Sequence, residues 1–471
     1  MDTDKKIDQM KDEIINNTKK LINFKSIEDK TSDYPYGKGV QESLEFCLNL
    51  CKSFDFKTKN LNNKVGYAEI GSGDELVGIL VHLDVVPVGN EKDWKYPPFK
   101  ATIKEDKLYG RGSIDDKGPT ISAIYAMKAI NDSNLNLNKR FRIIFGLNEE
   151  TDWKSINYYL KNEDIPNMAF TPDADFPVIK GEKGILNFNL IKKFKESIDD
   201  GGVEVLNITG GSRKNMVPDY TKVILKENNK KIKHILDAFN NKHNIDIKYD
   251  KNNSKTILSL KGKSAHGATP EKGTNAISYL LKFLNLIDLK IGDISNFIRF
   301  YSNHIGLDTN GKNLNCNISD KKSGELTFNV GTIELNSNKV KIGVNIRYPV
   351  TFDGKEIKNK LKKALDKSIY NSDKKIKIKN VKNVNPIYFK DDHPLVKSLM
   401  EVYQKYTKDN NKAITIGGGT YARSIKNAVA FGPLFPNRED LAHQVNEYVL
   451  IKDLILSCKI YSSAIKKLNE V

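Results

Sequence analysis

Imidazoles and carboxylates recur in this chain wherever a predicted strand runs out. His82 and Asp84 close the apolar run Leu76–Val81, and Glu149 and Glu150 follow the run Phe141–Phe145. Asp115 and Asp116 come after the turn Tyr109-Gly110-Arg111-Gly112, Asp173 after Thr171-Pro172, and His443 stands in Leu441-Ala442-His443-Gln444. These are the ligand types of a two-metal hydrolytic centre, where cations polarise a carbonyl and turn water into a nucleophile at neutral pH. Adjacent acids suit such a centre, because one can ligate while its neighbour takes a proton from the water. Singly, each has a duller reading. A histidine that ends a buried strand is more often a hydrogen-bonded core residue, Asp115-Asp116 alone is a helix cap, and Glu149-Glu150 alone is a solvated strand end. Asp84 tips the balance at His82, since a carboxylate two residues on can accept the second imidazole N–H and fix its tautomer.

The elements that must position these groups are legible as well. Up to about residue 182, apolar strands alternate with helical patterns, as in a parallel or mixed α/β sheet, and such sheets place their sites at the carboxyl ends of strands. Gly118-Pro119 opens a helix through Ile121–Met127, where proline in the first turn costs no hydrogen bond. From 183 to 388 the character changes to strict alternation with few helices. Val340, Ile342, Val344 and Ile346 share one strand face, as do Leu326, Phe328 and Val330. Ala276, Ile277, Leu280, Leu281, Leu284 and Ile287 form a helical stripe, with Thr274 as its expected cap. Residues 389–471 return to helix and short strand and carry His443, which must rejoin His82. The expected architecture is therefore an α/β catalytic domain with a mixed sheet and helices on both faces, in two segments (1–182 and 389–471). An inserted antiparallel α+β lid domain (183–388) interrupts it.

Composition narrows the function classes. Hydrophobic content of 39% with 29% charged residues describes a globular chain able to bury a core. No apolar stretch reaches membrane-span length, and the polar start Met1–Lys6 lacks the apolar core of a secretory signal, so the expectation is cytoplasmic, without a membrane partner. The net charge of +17 invites a nucleic-acid reading. Lysine is spread through loops and exposed helix faces, however, and no basic helix with interleaved aromatics stands out, so no nucleic-acid partner is expected. Cys47, Cys51, Cys316 and Cys458 read as buried thiols.

The motifs His82-Leu83-Asp84-Val85-Val86-Pro87, Gly110–Pro119, Glu149-Glu150 and Pro172-Asp173-Ala174-Asp175-Phe176-Pro177 resemble those of the PepV-type, or Xaa-His, dipeptidases. These belong to the co-catalytic metallopeptidase superfamily that includes aminoacylases and glutamate carboxypeptidases. The resemblance runs from about Gly37 to the C-terminus, with the motifs in family order. It implies one metal on His82, Asp115 and Asp173 and another on Asp115, Glu150 and His443. Asp115 would bridge ions roughly 3.5–4 Å apart. It also implies Glu149 as the general base acting on a metal-bridging water, Asp84 as the residue orienting His82, and a cis Asp115–Asp116 peptide. Asp173 stands where aminoacylase-like and carboxypeptidase-like relatives usually carry Glu and the dipeptidases and related tripeptidases Asp, which favours small peptides with a free amino terminus, dipeptides first. The pattern Ser-Pro-Asp-Ala-Glu-Phe-Pro appears here as Thr171–Pro177, with conservative departures at Thr171 and Asp175.

The insertion supplies further candidates by the same resemblance. His266, in Ser264-Ala265-His266-Gly267-Ala268, matches a lid histidine that stabilises the oxyanion, and Asn215 matches a substrate-contacting lid asparagine. Arg347 could grip a substrate carboxylate bidentately from the polar side of its strand. Read without the family, it is a plain surface arginine, and His266 a solvated loop residue. Gly418 and Gly419, within Ile416–Thr420, offer unobstructed N–H groups as a nest for a C-terminal carboxylate. His234, His243, His304 and His393 read as surface or structural. The expected protein is a monomeric dinuclear dipeptidase. Its two divalent ions would be zinc first, with manganese or cobalt as alternatives. The competing readings are an N-acyl amino acid deacylase of the same superfamily, a non-catalytic peptide binder, and a nucleic-acid-binding protein.

Overall fold

A computed structural model describes residues 2–133, 135–195, 200–226, 232–252, 255–367 and 376–471. The chain divides into two compact units. One comprises Met1–Gly181, Phe389–Ile414 and Gly419–Val471, the other Glu182–Tyr388 and Thr415–Gly418.

The first unit is built on a mixed sheet. Its strands lie in the order Lys57–Leu61, Val65–Gly71, Arg140–Gly146, Leu76–His82, Met168–Thr171, Ala428–Phe431 and Val178–Glu182. The middle strands, from Arg140–Gly146 to Ala428–Phe431, run parallel, and both flanks are antiparallel. Every residue of Leu76–His82 is buried, the mark of a strand covered on both faces. Helices Lys38–Ser53, Lys117–Asn131 and Ile451–Asn469 contribute Leu44, Ile121, Ile124, Leu454 and Ile465 to the same core as Val77, Ile79 and Val81.

The second unit is built on an antiparallel sheet, eight strands among the described residues, with Gly184–Lys193, Lys339–Tyr348 and Thr327–Leu335 adjacent near one end. Among the described residues, four helices accompany it: Ile232–His243, Ala276–Leu284, Asp293–His304 and Gly354–Lys367. That is more helix than strand periodicity alone suggests. The Ala276–Leu284 stripe is buried as expected, but its cap is Asn275 rather than Thr274. The Asn275 side chain accepts the Ser278 N–H at 3.0 Å and donates to the Val330 carbonyl at 2.9 Å. Asparagine can serve as cap and tether at once, which a threonine hydroxyl one residue earlier cannot. All four cysteines are buried free thiols.

Candidate metal centre

Parallel pairing brings the first groups together. His82 lies opposite Gly146, and Leu83 continues the ladder by donating to the Gly146 carbonyl at 3.0 Å. The strand Met168–Thr171 flanks the other side. His82, Glu149, Glu150 and Asp173 thus leave the carboxyl ends of three adjacent strands. Asp115 arrives on the loop before helix Lys117–Asn131, through a cis Asp115–Asp116 peptide. His443 arrives on the loop before strand Tyr448–Leu450, at φ +66°.

Those two loops are fastened to each other by a buried ion pair that the sequence did not single out. Arg111 Nη1 meets Glu447 Oε2 at 2.5 Å and also donates to the Gln444 carbonyl at 3.1 Å. The other Glu447 oxygen accepts the N–H groups of Ile114 and Asp115 at 3.0 and 3.3 Å. Both side chains are buried. Arg111 and Glu447 lie far apart in sequence, with no spacing to announce the pair.

Within the cluster, Asp115 turns one carboxylate oxygen to each imidazole. Oδ1 lies 2.9 Å from His82 Nε2, and Oδ2 lies 2.9 Å from His443 Nε2. Asp173 Oδ1 is 3.6 Å from His82 Nε2, and Glu150 Oε1 accepts a hydrogen bond from His443 Nε2 at 2.8 Å. Two donor groups result, His82 with Glu149 and Asp173, and Asp115 with Glu150 and His443. The donor atoms of each lie within 4.8 Å of one another. Glu149, expected as a base, therefore stands among the donors around His82, beside the Asp115 oxygen that also faces that ring. His82 Nε2 is buried and, although Asp115 Oδ1 stands 2.9 Å away, makes no aligned hydrogen bond to it. It is placed as a ligand atom would be.

Asp84 requires a correction. The His82 Nδ1–H is met by the Asp84 backbone carbonyl at 2.9 Å, whereas its carboxylate stands 3.5 Å away. The carboxylate accepts the N–H groups of Glu149 and Glu150 at 2.9 and 3.1 Å. Asp84 fixes the imidazole through its main chain and the paired glutamates through its side chain. Asp116, buried beside it, accepts the His82 N–H at 3.1 Å. Tyr421 was also unforeseen. Its buried ring lies edge-on to His82 and Trp153, with centroids 6.4 and 5.5 Å away. A Cβ on Gly146 would fall 2.3 Å from that ring, so only glycine fits there.

Charge crowds this site. Burial, reinforced by Asp173, raises the Glu149 pKa well above the usual carboxylate range, and burial also raises Glu150. Burial pushes Asp173 up to about 6, against the lowering effect of His82. Asp115 goes the other way, since its two imidazole partners outweigh its burial. Both histidines are raised well above their usual value, because the surrounding carboxylates overcome desolvation. The carboxylates of Asp115, Glu149, Glu150 and Asp173 gathered in one place are costly unless neutralised. Two divalent cations would balance their four charges.

In the second unit, Arg347 is not a surface residue but only 4% exposed. Its Nε donates to Asn345 Oδ1 at 3.0 Å and its Nη1 to the Gly417 carbonyl at 2.9 Å. The Asn215 and His266 loops are joined, with Gly267 N–H donating to the Asn215 carbonyl at 2.7 Å and a bridge between Met216 and His266. Gly418 falls in this unit and Gly419 in the first.

Residues 78–467 match the model of peptidase family M20/M25/M40. A Bacillus subtilis (strain 168) protein named "Putative dipeptidase YtjP" is 39% identical over 465 residues, covering 97% of each chain. A Staphylococcus saprophyticus protein named "Putative dipeptidase SSP1012" is 36% identical over 470 residues, covering 98% of each. Human carnosine dipeptidase 1 shares the fold at a TM-score of 0.61 and 14% identity, over 100% of this chain and 98% of that one. The dipeptidase Dug1p of Saccharomyces cerevisiae does so at 0.59 and 15%, with the same coverage. The chain belongs to peptidase family M20/M25/M40, and it is a metallopeptidase.

Proposed function

We propose that this metallopeptidase is a dinuclear dipeptidase that hydrolyses unblocked dipeptides. The observation that carries the reading is the attitude of Asp115, whose two oxygens face different imidazoles at equal distance. His82, Asp115 and Asp173 would hold one cation, and Asp115, Glu150 and His443 the other. The orphaned His82 Nε2 and the four converging carboxylates suit that occupancy. Mixed imidazole and carboxylate donors favour zinc, with manganese or cobalt also accommodated. When bound, the cations polarise the scissile carbonyl and acidify the attacking water.

The chain's own groups do the rest. Glu149 takes the proton of the attacking water and returns it to the leaving amine. Burial strengthens its hold on that proton, as a group serving in both directions requires. Asp84 keeps Glu149 and Glu150 in place through their N–H groups. On the inserted domain, His266 would steady the oxyanion, Asn215 would contact substrate, and Arg347 would take its carboxylate, aided by N–H groups of Gly418 and Gly419. Asp173 and the naming of the relatives as dipeptidases support a free amino terminus on the substrate. A panel of dipeptides, β-alanyl-histidine included, assayed beside their N-acetyl forms, tests this. Free dipeptides should turn over faster, and preference for the acetylated series would make the protein a deacylase instead.

A further inference from the structure

Three asparagines form a row across three neighbouring strands of the inserted sheet. Asn345, on Lys339–Tyr348, is directly opposite Asn329 on one side and Asn187 on the other. Residues paired in this way share a face of the sheet, so the three amides stand side by side. Asn345 and Asn329 are 0% and 1% exposed. Buried amides in a sheet whose neighbouring positions are valine, isoleucine and phenylalanine cost stability unless they are paired, and an apolar residue would be the simpler choice.

Their hydrogen bonds reach Arg347 and the backbone on either side of Asn215, and the row packs against the glycine beside His266. Asn345 Nδ2 donates to Asn187 Oδ1 at 2.8 Å, while Asn345 Oδ1 accepts Arg347 Nε at 3.0 Å. Asn329 Nδ2 donates to the carbonyls of Lys214 and Met216, at 2.8 and 2.9 Å, which bracket Asn215. Gly267, next to His266, packs its backbone against the same row, because a Cβ there would lie 2.9 Å from Asn345 Oδ1. The Gly267 carbonyl accepts Thr327 Oγ1 at 3.4 Å, and Thr327 is the register partner of Arg347. With Nε on Asn345 and Nη1 on the Gly417 carbonyl, the guanidinium plane is fixed from two directions. A planar fork recognises a carboxylate only when that plane is held.

We infer that Asn345 is a positioning residue for substrate recognition, orienting the Arg347 guanidinium towards the C-terminal carboxylate of the dipeptide. The Asn187–Asn345–Asn329 row is then the common footing of Arg347, Asn215 and His266. The inference rests on the proposed role of Arg347 as the carboxylate-binding group.

The test compares the metal-loaded enzyme and its variants on a dipeptide, read as KM and kcat, and on the C-terminal amide of the same dipeptide, read as a competitive Ki. Asn345→Leu removes the acceptor at similar volume. It should raise KM for the free dipeptide roughly tenfold or more, the worth of a hydrogen bond to a charged group, with little change in kcat or in Ki for the amide. Asn345→Asp keeps the acceptor and should recover most of that loss. In an Arg347→Ala background, Asn345→Leu should add almost nothing. If leucine prevents folding, Asn345→Ser, too short to reach Nε, should give the same split. A uniform loss on both ligands, or effects that multiply with Arg347→Ala, would overturn the inference while leaving Arg347 in its role. An Arg347→Ala variant with unchanged KM would instead remove that role, and the inference with it.

Discussion

Asp84 shows what a single residue type can and cannot reveal. Its place two residues after His82 marks it as a supporting carboxylate, but not which groups it supports, because the paired glutamates arrive from another strand. Asp84→Asn keeps one acceptor of two, so activity should fall about 10–100-fold, the usual range for a group behind metal ligands, with weaker metal retention by elemental analysis. Glu149→Gln should lower kcat by roughly 10²–10⁴ while the protein still takes up two metal equivalents. Full activity in that variant would reassign the base. Protonation also competes with metal. Asp173 has its pKa raised to about 6, and both histidines hold protons above their usual range. Ligands must be deprotonated to bind, so metal affinity should fall as pH drops, first as the two histidines take up protons above their usual range and further through about 6 as Asp173 does. A competition titration with a chromogenic chelator at stepped pH measures this, and a flat profile would contradict the cluster as described.

At the scale of elements, the strands that deliver His82 and Glu149 were legible because buried parallel strands are written as largely apolar runs, broken in the second only by Arg142. What joins the loops was not. Arg111 lies inside a motif read for its glycines, and Glu447 lies in a segment with no periodicity, yet their buried pair ties the Asp115 loop to the His443 loop. Removing one partner of a buried pair leaves the other charge stranded, at a cost of about 3–5 kcal/mol. Glu447→Ala should therefore lower the melting temperature of the chelated protein and weaken metal binding together. Unchanged melting would show that the loops are held elsewhere. Arg347 was misjudged as a surface residue when read alone, since its burial depends on Asn345 and Gly417, which come to it only in the folded sheet. Thr274 was displaced as a cap for a similar reason, because Asn275 has a second partner in Val330 on a distant strand.

For the whole molecule, the insertion was read from the need to return His443 to His82, and both do stand against Asp115. The asparagine row had no such signal, because its members are far apart in sequence and match no motif. No helix among the described residues is long and apolar enough to cross a membrane. We propose that the protein works as a monomer. Light scattering should then give 53.3 kDa, and twice that mass would count against it. The most direct test of the central claim is hydrolysis of an unblocked dipeptide by the chelated protein during stepwise return of Zn²⁺. The account predicts negligible activity without metal, and full recovery only as the second equivalent per chain binds. Undiminished activity after chelation, or full activity at one equivalent, would contradict a dinuclear centre.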